Sequence, residues 1–243
     1  MTAMRKMQKC WVQKCDTGFK MALVLLLVML TACAAVPQDL SGKMFTFPEA
    51  TNTAHVKINP SRQELHAVTV CLRFFTDLRR GCSIFSLATP STDNDFLISK
   101  KEIGVTAIYT RNKLAEFVGQ EYKLNVWHSI CSTWDSASGL GQLWFDGNPS
   151  SRKFISSESN IRGTIVIVLG QEQDSHGGAF DTNQCFVGMM SDVHMWDYTL
   201  SPCEIQRYMS DLTFTTGNVL NWEALDFQIT GRVLTEDKQK TCR

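Results

Sequence analysis

The 243-residue chain has no apolar run long enough to cross a bilayer as a helix. The run Ala22–Leu30 (ALVLLLVML) counts nine residues, against the roughly 20 that a spanning helix needs. It has no excess of either charge: Lys plus Arg and Asp plus Glu each number 24. It has no Asn-x-Ser/Thr sequon, so N-glycosylation is not expected. It contains no HExxH, no D-x-D-x-D-G calcium loop, no Ser-His-Asp arrangement and no phosphate-cradling glycine loop. No basic-aromatic stripe for nucleic acid occurs, and no internal repeat, linker or low-complexity segment. With 44% hydrophobic and 20% charged residues, the composition suits one or two globular domains with an ordinary core.

The short apolar run has a different meaning. Lys20 precedes it and the small residues TACAA follow, as in a secretory signal peptide. Residues 21–35 are expected to be that signal, cleaved near Ala35. Residues 1–20 are an atypical extension, either a long basic n-region or the product of an upstream start codon. The mature domain is then 36–243, and the protein is secreted. Removing 1–35 takes away Arg5, Lys6, Lys9, Lys14, Lys20 and one acid, Asp16, leaving a net charge of −4. Such a chain has no general electrostatic reason to seek nucleic acid or an anionic membrane. An anionic ligand must therefore be held by a local device. Six cysteines remain, Cys71, Cys82, Cys131, Cys185, Cys203 and Cys242, and an extracellular setting permits disulfides without assigning the pairs.

Short β-branched and aromatic runs predict strands at 67–75, 83–87, 96–99, 104–109, 127–134, 142–145, 164–169 and 186–196. Turn formers such as Asp146-Gly147 and Gly177-Gly178 separate them. In the last run, alternation places Phe186, Gly188, Met190, Asp192, His194 and Trp196 on one face. One helix is predicted over 202–209, with Ser201 as N-cap, Pro202 at the first helical position and Glu204 completing a capping box. The fold class is all-β: a sandwich with one short α-helix on a face.

The chemically loaded stretch is LGQEQDSHGGAFDTNQ, residues 169–184. It gathers Glu172, Asp174 and Asp181 with Gln173, Asn183 and Gln184, and Gly177-Gly178 lets it fold back. Oxygen-only donors on a flexible loop are what Ca²⁺ takes, whereas Zn²⁺ prefers Cys and His. A solvated acidic hairpin would have the same composition.

LGQEQDS-x-GG-x-F, MWDYTLSP and VLNWEAL closely resemble the second half of the short pentraxins. FTFPEATNTAHV, TVCLRFFTDL, RGCSIFSLAT and TDNDFLI resemble the first half. The family signature appears as SICSTWDS at 129–136, with Ser129 where the family has His and His128 displaced one place. The resemblance implies a flattened, lectin-like jelly roll of two antiparallel sheets. It implies a homopentamer and two Ca²⁺ per subunit on one face. It places the calcium ligands at Asp93, Asn94, Glu172, the main-chain carbonyl of Gln173, Asp174, Asp181 and Gln184, and the family disulfide at Cys71–Cys131. In the chain-entropy model a loop of that length contributes roughly 4 kcal/mol.

The same resemblance implies an innate-immune, acute-phase lectin for phosphocholine, phosphoethanolamine or anionic glycans on microbial or damaged-cell surfaces. Where one branch contacts choline with Phe and Glu, this chain has Ser99 and Lys113. Tyr109 forms an apolar wall or serves strand pairing. The opposite face binds the first complement component and Fc receptors in the family. Asp146 matches an acid implicated there, but Met209 stands where Tyr is expected. Two rival readings are a laminin-G-like adhesion module and a jelly-roll glycoside hydrolase. The hydrolase needs a second carboxyl in its E-x-D-x-x-E motif, and this chain has Gly177 there. Without calcium, clustered carboxylates repel one another. Limited proteolysis is therefore expected to cut the 172–184 loop faster in chelator than in calcium; equal cutting would count against a two-ion site.

Overall fold

Apolar and polar side chains alternate along the strands and sort into the two faces of a β-sandwich. The structure is a computed structural model and describes residues 36–238. The expected leader, residues 1–35, and Cys242 lie outside the described residues. The eight-stranded antiparallel sheet runs β11 (Asn148–Pro149), β10 (Leu140–Phe145), β9 (His128–Asp135), β4 (Ala67–Phe75), β15 (Gly188–Trp196), β1 (Lys43–Phe47) and β17 (Leu234–Asp237). Off that path, β12 (Lys153–Phe154) pairs with β10. The seven-stranded sheet runs β16 (Gln228–Thr230), β2 (His55–Ile58), β14 (Val166–Leu169), β5 (Cys82–Thr89), β6 (Thr92–Glu102), β7 (Val105–Thr110) and β8 (Lys113–Val118). A small pair joins β3 (Glu64–Leu65) to β13 (Ile161–Arg162).

The central strand β4 shows how the layers arise. Val68, Val70, Leu72 and Phe74 join the core between the sheets, with Phe45, Phe85, Phe96 and Trp134. The alternate residue Cys71 looks the other way and bonds Cys131, its partner in β9, with Cα atoms 4.1 Å apart. That outer face is covered by α1 (Pro202–Met209), whose Ile205 and Tyr208 pack with Cys71, Cys131, Trp144 and Trp196.

The helix starts where the sequence places it. Ser201 Oγ accepts the Glu204 N–H at 3.3 Å, satisfying one of the free donors of the first turn. The Glu204 carboxylate accepts the Thr215 N–H at 3.4 Å instead, so the observed bonds complete half of the capping box.

One expectation is corrected in β15. A register shift between Ser191 and His194, with Asp192 at φ +54°, interrupts the simple alternation. Met190 therefore shares the core with Val193 and Met195, while Trp196 joins the cluster beneath the helix. A bulge adds one residue to a strand and re-aims the side chains beyond it.

Trp134 is fully buried between the sheets and its Nε1 donates to the Ser156 carbonyl at 2.9 Å. Trp134→Ala is expected to cost about 3–5 kcal/mol of stability, read from urea unfolding. A loss below about 1 kcal/mol would mean that the two sheets do not depend on this contact.

Candidate metal centre

Two segments distant in sequence meet at the seven-stranded sheet. The first is the start of β6, just past its turn from β5, which carries Asp93 and Asn94. Its anchor is the neighbouring Asp95, which has no solvent exposure. Arg111 Nη1 donates to Asp95 Oδ1 at 2.5 Å, and the Thr89 hydroxyl donates to Oδ2. Burial pushes the Asp95 carboxyl up, opposed by the Thr89 and Arg111 hydrogen bonds. Main-chain bonds from Arg111 N to Asp95 O (3.2 Å) and from Asn112 N to Asn94 O (3.0 Å) hold the same stretch.

The second segment leaves β14 at Gly170. There φ is +93°, and a Cβ would stand 2.3 Å from Phe47 Cε1, so only glycine fits. Gln173 then pins the loop to the sheet. Its side chain is wholly buried, with Nε2 donating to Ser86 O (3.1 Å), Ser86 Oγ (3.2 Å) and Val166 O (3.2 Å). Its Oε1 accepts the Gly177 N–H at 2.9 Å, and its own N–H reaches Ser86 Oγ. The amide is fully engaged, so the group left to serve as a ligand is the main-chain carbonyl, as the resemblance implies. Ser175 and Gly178 exchange main-chain hydrogen bonds and turn the loop back. Asp181 Oδ1 accepts both the main-chain and side-chain N–H of Asn183, and Gln184 N donates to Asp181 O at 2.9 Å.

The carboxylates of the two segments lie close enough to repel one another. Burial pushes the Glu172 carboxyl up to about 7, with Asp174, Asp93 and Asp181 adding to the rise and Lys101 opposing it. Asp174 is raised by burial and by Asp93 and Asp181. Four carboxylates thus lie in one another's field. Beside them, Asn94 Oδ1 and Gln184 Oε1 are buried and accept no hydrogen bond. A buried acceptor without a donor costs free energy unless something satisfies it.

The donor set fits calcium. Among the described residues no three of His, Cys, Asp and Glu form a metal cluster by themselves. This set mixes carboxylate, amide and carbonyl oxygens, which Ca²⁺ accepts at six to eight positions. His176, inside the loop, turns its Nε2 to the Thr164 carbonyl at 2.8 Å.

Ser99 is buried, and its hydroxyl donates to the Cys82 carbonyl at 3.4 Å; with Phe96 and Ile98 in the core, it lies on the opposite face of β6, the side of Tyr109. Lys113 is exposed at the start of β8, paired with Thr110. Tyr109 is half-buried in β7 and serves strand pairing with Leu97 and Leu114. Lys101 lies over its ring, 5.4 Å from the centroid. The Tyr109 hydroxyl holds the Lys101 ammonium up, and Glu172 and Glu116 add to this. Sequence reasoning misses Lys101, because one of two adjacent lysines carries no sign that Tyr109 and Glu172 lie near it. It also misses Asp95, whose role appears only when Arg111 and Thr89 are seen beside it.

The model of the Pentaxin family matches residues 43–237. Mouse (Mus musculus) serum amyloid P-component is 39% identical over 197 residues, covering 81% of this chain and 87% of its own length. Pig (Sus scrofa) C-reactive protein is 39% identical over 216 residues, covering 88% and 96%. The native heptameric SAP-like pentraxin of Limulus polyphemus superposes with a TM-score of 0.76 at 25% identity, covering 82% and 96%.

The raised Glu172 carboxyl has a signed consequence. The folded state holds this proton more tightly than the unfolded chain, whose carboxyl titrates near 4.5. Its contribution therefore favours the fold at low pH and is lost as pH rises from about 4.5 through about 7. In chelator, the melting temperature of Glu172→Gln is expected to gain on that of the unaltered chain across this window. Parallel melting curves against pH would contradict the shared field.

Proposed function

Since the chain belongs to the Pentaxin family, we propose that it is a secreted, calcium-dependent pattern-recognition lectin for phosphate monoesters or anionic glycans. The observation that supports this reading is that Asp93, Glu172, Asp174 and Asp181 lie in one another's field, while the amide oxygens of Asn94 and Gln184 are buried without a donor. Four negative charges balance two Ca²⁺, and the bound ions would offer vacant coordination positions to an anion. Asp93, Asn94, Glu172, Asp174, Asp181, Gln184 and the Gln173 carbonyl are the proposed ligands. The protein's part is to hold these oxygens in place, Asp95 and the Gln173 amide serving as struts. It works by binding and not by turnover, and Gly177 stands where a glycosidase would carry its second carboxyl.

Tyr109 and Lys101 form the rim beside Glu172. An ammonium there repels a quaternary amine and attracts phosphate or sugar anions. Anionic glycans are therefore proposed to bind at least as readily as phosphocholine, and so is phosphoethanolamine, whose ammonium meets the same repulsion but can donate hydrogen bonds that choline cannot. The proposed domain is 36–243, released by cleavage near Ala35, and among the described residues no helix is long and apolar enough to cross a membrane. A closed ring is the proposed assembly, with five subunits. The first complement component and Fc receptors are the partners proposed for the helix-bearing face. Asp146 there accepts from Ser129 N (2.7 Å) and pairs with His128 Nδ1 (2.6 Å), so such contacts have to draw on other acids as well.

On phosphoethanolamine- and phosphocholine-agarose with calcium, the mature chain is expected to be retained and then released by chelator. Glu172→Gln is expected to weaken calcium binding by roughly tenfold or more, read by calorimetry, because it removes one charge from the donor set. No saturable calcium uptake by the unaltered chain would sink the lectin reading. Uptake without retention on either resin would favour an adhesion role.

A further inference from the structure

Two cysteines outside the family disulfide lie at the seam between β5 and the acidic loop. Cys82 opens β5 and Cys185 follows Gln184; their exposures are 2% and 0%. The Ser83 N–H donates to the Gln184 carbonyl at 2.8 Å, so the two main chains touch one residue away from each cysteine. Arg80 binds both segments. Its Nη1 donates to the carbonyls of Gly81 (2.8 Å), Asn183 (3.1 Å) and Cys185 (2.8 Å), and its Nη2 donates to Cys185 Sγ at 3.2 Å. The Gly81 carbonyl belongs to the peptide bond that leads into Cys82, so one guanidinium ties the backbone of both cysteines. Burial drives the Cys82 thiol up to about 11; Lys100 and Arg80 oppose the rise and Cys185 adds to it, which places the two thiols in each other's field. Chains joined by a main-chain hydrogen bond run about 4.7–4.9 Å apart. That spacing lies within the Cα separation of roughly 4.4–6.8 Å that a disulfide spans.

We propose that Cys82 and Cys185 form a second disulfide, which fastens the end of the 172–184 loop to β5. The chain already carries one disulfide, Cys71–Cys131. Each thiol gives up its hydrogen as the S–S bond forms. The two electrons and two protons pass to an external disulfide of the oxidised-glutathione class, which leaves as two thiols. Both sulfurs are enclosed in the folded chain, so the exchange takes place while the loop closes over β5 during folding. Arg80 brings the two segments side by side for that step. The bond does not depend on calcium. Its consequence does bear on the proposed site, because it fixes the main chain next to Gln184.

The test is disulfide mapping of the secreted full chain, alkylated under denaturing, non-reducing conditions, digested and read by mass spectrometry. The expected result is a cross-linked peptide pair joining Cys82 to Cys185, alongside the pair joining Cys71 to Cys131. Alkylation of both Cys82 and Cys185, or a bond from either to Cys203 or Cys242, would overturn the proposal. In chelator, the double variant Cys82→Ser, Cys185→Ser is expected to lose roughly 5–15 °C in Tm. It is also expected to be cut faster within 172–184. An unchanged Tm and cutting rate would overturn the clasp as well. A mapped bond in a protein that takes up no calcium would leave the clasp standing and refute the calcium reading alone.

Discussion

Mutual repulsion among the carboxylates of Asp93, Glu172, Asp174 and Asp181 is the constraint around which this side of the molecule is built. The charges come from two segments some 80 positions apart in the chain, and nothing in their own chemistry keeps them close. The fold does so through neutral or fully paired groups behind them. The Gln173 amide, buried against Ser86 and Val166, holds one segment. The Asp95–Arg111 pair holds the other. Neither is exposed enough to be a ligand through its side chain, and both are positioned by the regular hydrogen bonding of β5, β6 and β14.

The sandwich separates two kinds of surface. On the eight-stranded sheet, alternate residues of β4 and β9 turn outward to a helix and a disulfide, an apolar and rigid patch. On the seven-stranded sheet, the outward residues meet a polar loop tied down by amides and an arginine. A substitution under the helix is therefore felt as packing, and one under the loop as lost hydrogen bonds and misplaced charge.

Much of the architecture was legible in the residues. The long strands announce themselves by β-branched and aromatic content, and α1 by Ser201, Pro202 and Glu204. Short edge strands such as β16 and β17 do not, because their pairing partners, β2 and β1, lie far away in sequence. Alternation also fails at bulges. It misplaces Met190 relative to Val193. For the candidate site, the acidic residues were visible as a cluster, and the resemblance supplied Asp93 and Asn94 as their companions. The supporting residues were not visible: Asp95 reads as one more acid in TDND, and Arg80 as one of two adjacent arginines. Their meaning lies in partners that only the folded chain brings near.

The buried side chain of Gln173 has one more implication. With its amide nitrogen and oxygen both spoken for, the peptide group of that residue is set in orientation before any guest arrives. Conformational freedom that would otherwise be surrendered on binding has already been surrendered on folding. Differences in affinity among related chains would then arise chiefly in the outer arc, around Asp174 and Asp181, where exposed carboxylates still have entropy to lose.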